Sequence, residues 1–441
     1  MSNPLKNKPG LDGAKIRAWL LENIVTLIFL VFVLVGFVLA DGMPMAFFFG
    51  DLSLRIFRNA FLVLSLIIPV VAGLGLNFGI VVGAMAGQMA IILVRYYNFE
   101  GLSGLLLAAL IALPLASLFG YLTGLLYNRT KGQEMIASLI VGFFANGIYQ
   151  FILLFAVGGI IPVSTDNQLI LANGVGVRSA VDLGTLKNSL DRILTISFPI
   201  TLILLGLGLA GYAVFRFLRQ RKSQAIGRSQ YITLGLTLVG GVGIMAAGVI
   251  STVTMTVLSL VSPTPVVTGL LIALLCAFTY FISRTKMGQD FRSVGQSQHI
   301  AEISGINVNR TRIIATIMST VLASWGHIIY MQNMGTLATY DTHRQIGLFS
   351  VAALLVGGAT TSKATIKQAL IGTLLFNAMF IMSPEIGKAL FSSTLLGEYF
   401  RTFMVYGVIG VALGLYVWKS LKKSALKVED DDAPKVDSPQ A

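Results

Sequence analysis

Runs of about 20 mostly apolar residues, one after another, constrain this chain more than anything else in it, because that is the length at which an α-helix crosses roughly 30 Å of hydrocarbon. Twelve such runs are read, at 19–40, 57–75, 78–94, 102–127, 135–158, 198–217, 231–259, 266–283, 313–333, 347–360, 364–382 and 398–418. The fold class that follows is an all-α polytopic membrane protein of about 10–12 transmembrane helices. The first run starts like a secretory signal, with Lys15 and Arg17 ahead of an apolar core ending in Val38-Leu39-Ala40. It is read as an uncleaved signal anchor.

Composition enters through charge. Only 12% of the 441 residues are charged, against about 25% in soluble proteins. That deficit excludes a disordered chain, collagen, a coiled coil and a nucleic-acid-binding domain. The net charge of +13 points instead to cytoplasmic loops, because loops rich in Lys and Arg resist translocation. Threading the spans from a cytoplasmic start leaves nine of the 32 Lys and Arg residues outside: Arg55, Arg58, Arg95, Arg178, Lys187, Arg192, Arg344, Lys388 and Arg401. The N- and C-termini are therefore expected in the cytoplasm. The one thiol, Cys276, sits in the apolar run 270–281, so no intrachain disulfide forms and it reads as a small buried hydrophobe.

In this order the chain has a cytoplasmic N-terminal tail over 1–18, a first transmembrane half over 19–158 and an external loop over 159–197. A helical hairpin over 198–259, a second transmembrane half over 260–420 and a disordered cytoplasmic tail over 421–441 follow. The external loop, with Pro162, Asp166, Asn173-Gly174, Asp182 and Asp191, is polar and turn-rich and has room for one short helix. A second polar segment, 284–312, joins two spans of the second half on the cytoplasmic side. Within it Gly295 and Gly305 bracket a stretch whose Ile300, Ala301 and Ile303 form an apolar stripe. Gly305 is placed to stop a helix in the left-handed conformation. These residues alone fit a short helix that pushes on a partner, and they fit a solvated connecting loop.

The pattern T-x-x-G-x-x-F-R-x-V-G-x-x-x-x-x-A-x-x-S-G-I-N-V, running from Thr285 to Val308, resembles the coupling-loop signature of ABC-importer permeases for ribose, branched-chain amino acids and nucleosides. Downstream, Ala315 to Ala323, the stretch Ala352 to Thr360 with its Gly357-Gly358 pair, and Lys367 to Gly372 resemble that family's next three landmarks. The resemblance is good over 266–418 and looser over 60–158, where Gly75 to Gly83 lacks the acidic residue that family members carry. The pair of spans over 198–259 departs from it, because members commonly have about ten spans.

What the resemblance implies is a permease subunit paired with a second permease as homo- or heterodimer, two cytoplasmic ABC ATPase subunits beneath and an external solute-binding protein above. The stretch 296–305 is then the coupling helix, with Ala301 and Ile303 packing against the ATPase, Arg292, His299 and Glu302 making polar contacts at the rim, and Gly295 and Gly305 bracketing it. The chain nowhere contains G-x-x-x-x-G-K-[ST], so it is not read as an enzyme. No cofactor is expected on it, and ATP with Mg²⁺ is expected on the partner ATPase. Catalytic and metal sites are expected to be none, since His299, His327 and His343 are scattered. Glu134, Asp341, Glu385 and Glu398 fall at span ends, where water is expected to reach them.

Polar groups persist in hydrocarbon where they line a cavity or bond to neighbouring helices. The substrate-pathway candidates on that ground are Asn77, Gln88, Asn146, Gln150, Gln332, Asn333 and Asn377. Each is equally open to a reading as glue between helices. Asn77 stands apart because it lies among glycines where a helix can break and free backbone amides. The lack of intramembrane charge favours a neutral sugar or nucleoside over a branched-chain amino acid. The alternative of another class is a secondary transporter of twelve helices driven by an ion gradient. It lacks a membrane-centre carboxylate and similarity between halves.

Overall fold

The structure, a computed structural model, describes residues 20, 23–40, 43–221, 228–254 and 256–431. The N-terminal tail expected over 1–18, with Lys15 and Arg17, and the last part of the acidic tail, 432–441, lie outside the described residues. Among the described residues each of the twelve apolar runs contains a helix. In chain order the helices are α1 (Ile24–Leu39), α2 (Met45–Ser65), α3 (Ile67–Val71), α4 (Ile80–Tyr96), α5 (Gly101–Arg129), α6 (Glu134–Phe151), α7 (Phe198–Arg221) and α8 (Arg228–Thr254). After them come α9 (Val266–Ile282), α10 (Lys286–Gln296), α11 (Gln298–Ile303), α12 (Val308–Met334), α13 (Thr342–Val356), α14 (Ile366–Phe391) and α15 (Thr394–Asp431).

The protein is an all-α polytopic membrane protein. Among the described residues seven spans are long and apolar enough to cross a bilayer, and α9 with α10, bent by 74°, makes up to eight. Helices α1 and α4, with 16 and 17 residues, fall short of that length. Two boundaries differ from expectation by more than ten residues. The span expected from 57 begins at Met45, because Asp51 and Arg55 sit one helical turn apart and neutralise each other at 2.7 Å. Asp51, Arg55 and Arg58 are thus inside a membrane helix, which corrects the expectation that the membrane part carries no charge. At the other end α15 runs to Asp431, so 421–431, expected as disordered tail, are helical.

Helix α12 is the centre of the bundle, lying against α2, α4 and α5. Its neighbours reach it through small residues. A Cβ added to Gly83 or Gly87 of α4 would lie 2.5 Å from the carbonyls of Thr320 and Ser324, so these backbones touch directly, as small residues permit in membranes. The external loop is tied down by strands: β1 (Ala180–Asp182) pairs antiparallel with the segment Thr336–Ala338 after α12, and Thr195–Ile196 pairs with Thr264–Pro265 before α9. Its helical element is a single turn at Gly184–Leu186. Helices α7 and α8 of the hairpin pack mainly on each other, with Gly206 against the backbone of Gly241 and Met245.

Candidate functional site

The segment between α9 and α12 is built from capped pieces. Thr285 accepts from the Gly288 amide at 3.3 Å and starts α10; Ser297 accepts from the Ile300 amide at 3.3 Å and starts α11; Asn307 accepts from the Arg310 amide at 3.0 Å and starts α12. Each cap satisfies an amide that a helix start leaves free. The bend before α10 is closed by Arg292, whose guanidinium donates to the Ser283 carbonyl. Helix α10 is amphipathic, burying Gly288, Phe291 and Val294 on one face. At its end Gly295 meets the chain just before α4: a Cβ on Gly295 would lie 2.2 Å from the Val71 carbonyl, and one on Gly73 would lie 2.7 Å from the Gly295 Cα. Gly305 ends α11 at φ +80°, with open space where a Cβ would stand.

This geometry sorts the residues expected to meet an ATPase. Ile300 and Ile303 are 65% and 74% exposed, and His299 and Glu302 are exposed beside them. Ala301 is the exception. It is 1% exposed and packs on Val294, Val308 and Ile306 of its own chain, so the expected contact of Ala301 with a partner is replaced by an internal one. Because a short helix shows only about half its residues on one side, Ile300 takes the outward place beside Ile303. A cleft of about 520 Å³ opens next to α11, with Lys286, Asp290 and Arg310 at its rim.

The break between α3 and α4 that the glycines foretold is present, with Gly73 and Gly75 at φ +77° and +71°. Asn77 lies in it, but turned inward: its Oδ1 accepts from Tyr127 Oη at 2.7 Å and from the Gly79 amide at 2.9 Å. Gln88 joins a second buried network. Its Nε2 donates to Tyr149 Oη at 2.8 Å, its Oε1 meets His327 Nε2 at 3.2 Å, and Tyr149 donates to the Thr339 carbonyl at 3.0 Å. Asn146 meets His343 Nε2 at 2.7 Å, and the His343 ring lies 4.8 Å from that of Tyr149. Gln88 and Asn146 are thus brought together by two histidines and a tyrosine, linking α4, α6, α12 and α13. Gln150 is half-buried and takes no part.

Asn377 accepts from Asn59 at 2.8 Å, tying α14 to α2, and Asn333 donates to Asp191 at 2.7 Å, tying α12 to the external loop. Gln332 differs from the rest: it is 1% exposed, and neither its amide oxygen nor its nitrogen has a hydrogen-bond partner among the described residues. Replacing Gln88 with Leu is expected to leave Tyr149 and His327 without their partner and to cost about 1–3 kcal/mol, read as a lower melting temperature of the purified protein. Gln332→Leu is expected to cost nothing or to stabilise.

One buried pair was not anticipated. Arg312, 0% exposed, donates to Glu134 Oε1 at 2.6 Å and to the Tyr127 carbonyl at 2.9 Å. Glu134 is not reached by water as expected but buried, because the turn after α5 folds over it and the Gly132 amide donates to it at 3.0 Å. An opposite charge 178 positions away is invisible to local patterning.

Comparisons with known proteins agree with this architecture. The family model described as branched-chain amino acid transport system / permease component matches residues 169–412, more than half of the chain. That stretch starts inside the external loop and takes in the hairpin, while the looser resemblance over 60–158 lies outside it. The chain is 34% identical to the autoinducer 2 import system permease protein LsrC of Klebsiella pneumoniae over 89 residues, 20% of this chain and 26% of the relative. It is 30% identical to the nucleoside ABC transporter permease protein NupC of Lactococcus lactis over 107 residues, 24% of this chain and 33% of the relative. It is 27% identical to the fructose import permease protein FruG of Bifidobacterium longum over 151 residues, 33% of this chain and 44% of the relative. The matched stretches thus span from about a quarter to under half of these relatives. No solved structure matches the chain.

Proposed function

This chain belongs to the branched-chain amino acid transport system permease family, and from that premise we propose that it is the membrane subunit of an ATP-driven importer that admits a small neutral solute to the cytoplasm by alternating access. The observation that carries the reading is α11: a capped helix that shows Ile300 and Ile303 to the outside and rests through Ala301 on its own chain. Exposed apolar side chains on a rigid support suit a protein partner better than water. The partner is a cytoplasmic ABC ATPase, which holds the ATP and Mg²⁺, while this chain holds no cofactor. Two permeases, alike or sister chains, stand over two ATPases, and an external solute-binding protein delivers the cargo. The setting is the cytoplasmic membrane of a prokaryote, with both termini inside.

Motion of the ATPases reaches the membrane as displacement of α11 and α10 as a body. Gly295 stands on Val71 and Gly73 with no side chain between, so that displacement acts directly on the broken segment ahead of α4. The segment carries Asn77.

Relatives named for nucleoside, fructose and xylose transport support a sugar or nucleoside as cargo. The argument from absent membrane charge no longer contributes, since Arg58 lies in α2. Arg58 supports a second reading, a branched-chain amino acid, because its guanidinium contacts Asn333 and Met334 rather than a carboxylate. Competition of uptake by ribose, a nucleoside and leucine separates the two.

Gly305→Val tests the coupling assignment. The site is open, so the substitution strains only the backbone, by about 1–2 kcal/mol at a left-handed position. Membrane insertion is expected to stay intact while uptake and its stimulation of ATP hydrolysis fall. Full ATP-driven uptake in that variant would oppose the reading.

A further inference from the structure

A cavity of about 300 Å³ between α13, α14 and α15 is not used by the coupling path or by the buried amide networks. Its charged walls are Asp341, Arg344 and Arg401, and its aromatic walls are Phe349, Phe380 and Tyr406. Arg344 lies two residues past the start of α13 at Thr342, and Arg401 seven past the start of α15 at Thr394. At 1.5 Å per residue these are about 3 and 10 Å along their helices, so both guanidiniums stand within the first turns of the helices that line the cavity. Tyr406 of the lining is exposed, and the adjoining face of α15 exposes Tyr399 and Phe403, aromatic residues of the kind favoured where a membrane meets water.

Both signs of charge are present at the cavity. Arg344 lies 3.6 Å from Asp341, while Arg401 pairs with Glu398 and stacks on Phe380 at 4.8 Å from the ring centre. Two guanidiniums from different helices suit the oxygens of a phosphodiester. The Asp341 carboxylate suits a group with N–H donors and opposes a second negative charge. Aromatic faces attract a cation and also accept hydrocarbon.

We propose that this cavity binds the headgroup of a zwitterionic phospholipid, phosphatidylethanolamine. The phosphate accepts from Arg344 and Arg401, the ammonium donates to Asp341, and the upper acyl chain lies on Phe349 and Tyr406. A choline headgroup carries no N–H to donate, and a phosphatidylglycerol headgroup brings no cation to Asp341.

The full-length protein, reconstituted in nanodiscs of equal phosphatidylethanolamine, phosphatidylcholine and phosphatidylglycerol, is extracted into detergent, and the retained lipids are counted by native mass spectrometry. Phosphatidylethanolamine is expected about tenfold above the other two, the worth of roughly one charge-assisted hydrogen bond. R344Q, at a half-exposed side chain, is expected to remove most of that retention, and R401Q likewise. D341N is expected to keep a bound phospholipid but lose the preference for ethanolamine over choline. Equal retention of the three lipids, a preference for phosphatidylglycerol, or wild-type retention in both arginine variants would overturn the proposal. So would displacement of the lipid by equimolar glycerophosphoethanolamine, which would make the site one for a soluble phosphoester.

Discussion

Replacing Arg312 with Leu is expected to destabilise the folded protein by about 3–5 kcal/mol, the penalty for stranding one charge of a buried pair. Glu134 would be left as a carboxylate with the Gly132 amide as its named donor and almost no access to water. The pair also joins two parts of the fold. Arg312 lies in the first turns of α12, shortly after α11, while Glu134 opens α6 and Tyr127 lies in the last turn of α5. Thermal unfolding of the detergent-purified protein, followed by gel filtration, reads the loss. The double variant Arg312→Leu with Glu134→Leu is expected to recover most of it, because removing both charges removes the stranded one. Equal melting of wild type and single variant would show that the pair contributes nothing.

Gly295→Ala carries the second large effect, and it is functional as well as structural. The added Cβ would sit 2.2 Å from the Val71 carbonyl oxygen and 3.1 Å from the Gly73 nitrogen. Real side chains do not approach a backbone oxygen that closely, and both sides are main chain with no rotamer to turn aside. Helix α10 must then move off α3, at about 1–3 kcal/mol for an overpacked contact. Uptake in vesicles is expected to collapse, because the direct contact between the coupling segment and the break before α4 is lost. Basal hydrolysis by the ATPase alone should be unaffected. Wild-type uptake by Gly295→Ala would separate α10 from the transport cycle.

How far these features were legible depends on whether their cause is local. Helices were, since a run of apolar residues is its own signal, and so was the stop at Gly305, where only the backbone conformation matters. The start of α2 was not, because Asp51 and Arg55 read as a loop until they are seen as one turn of a helix. That Ala301 is buried while Ile303 is exposed follows from which side of α11 faces α12. Glu134 and Arg312 have no local signature for each other. The amide candidates show the same division: a buried Gln88 and a buried Gln332 look alike in sequence, and only packing reveals that one is saturated and the other has no partner.

The proposed transport cycle requires α11 to be seated in a cytoplasmic ATPase. In a background with Cys276 replaced by Ser, the variant Ile303→Cys is treated with a membrane-impermeant thiol reagent in right-side-out and in inverted vesicles. Labelling only in inverted vesicles, and its suppression when the ATPase subunits are co-assembled, is the predicted result. Labelling from the outside, or labelling that the ATPase leaves unchanged, would contradict it.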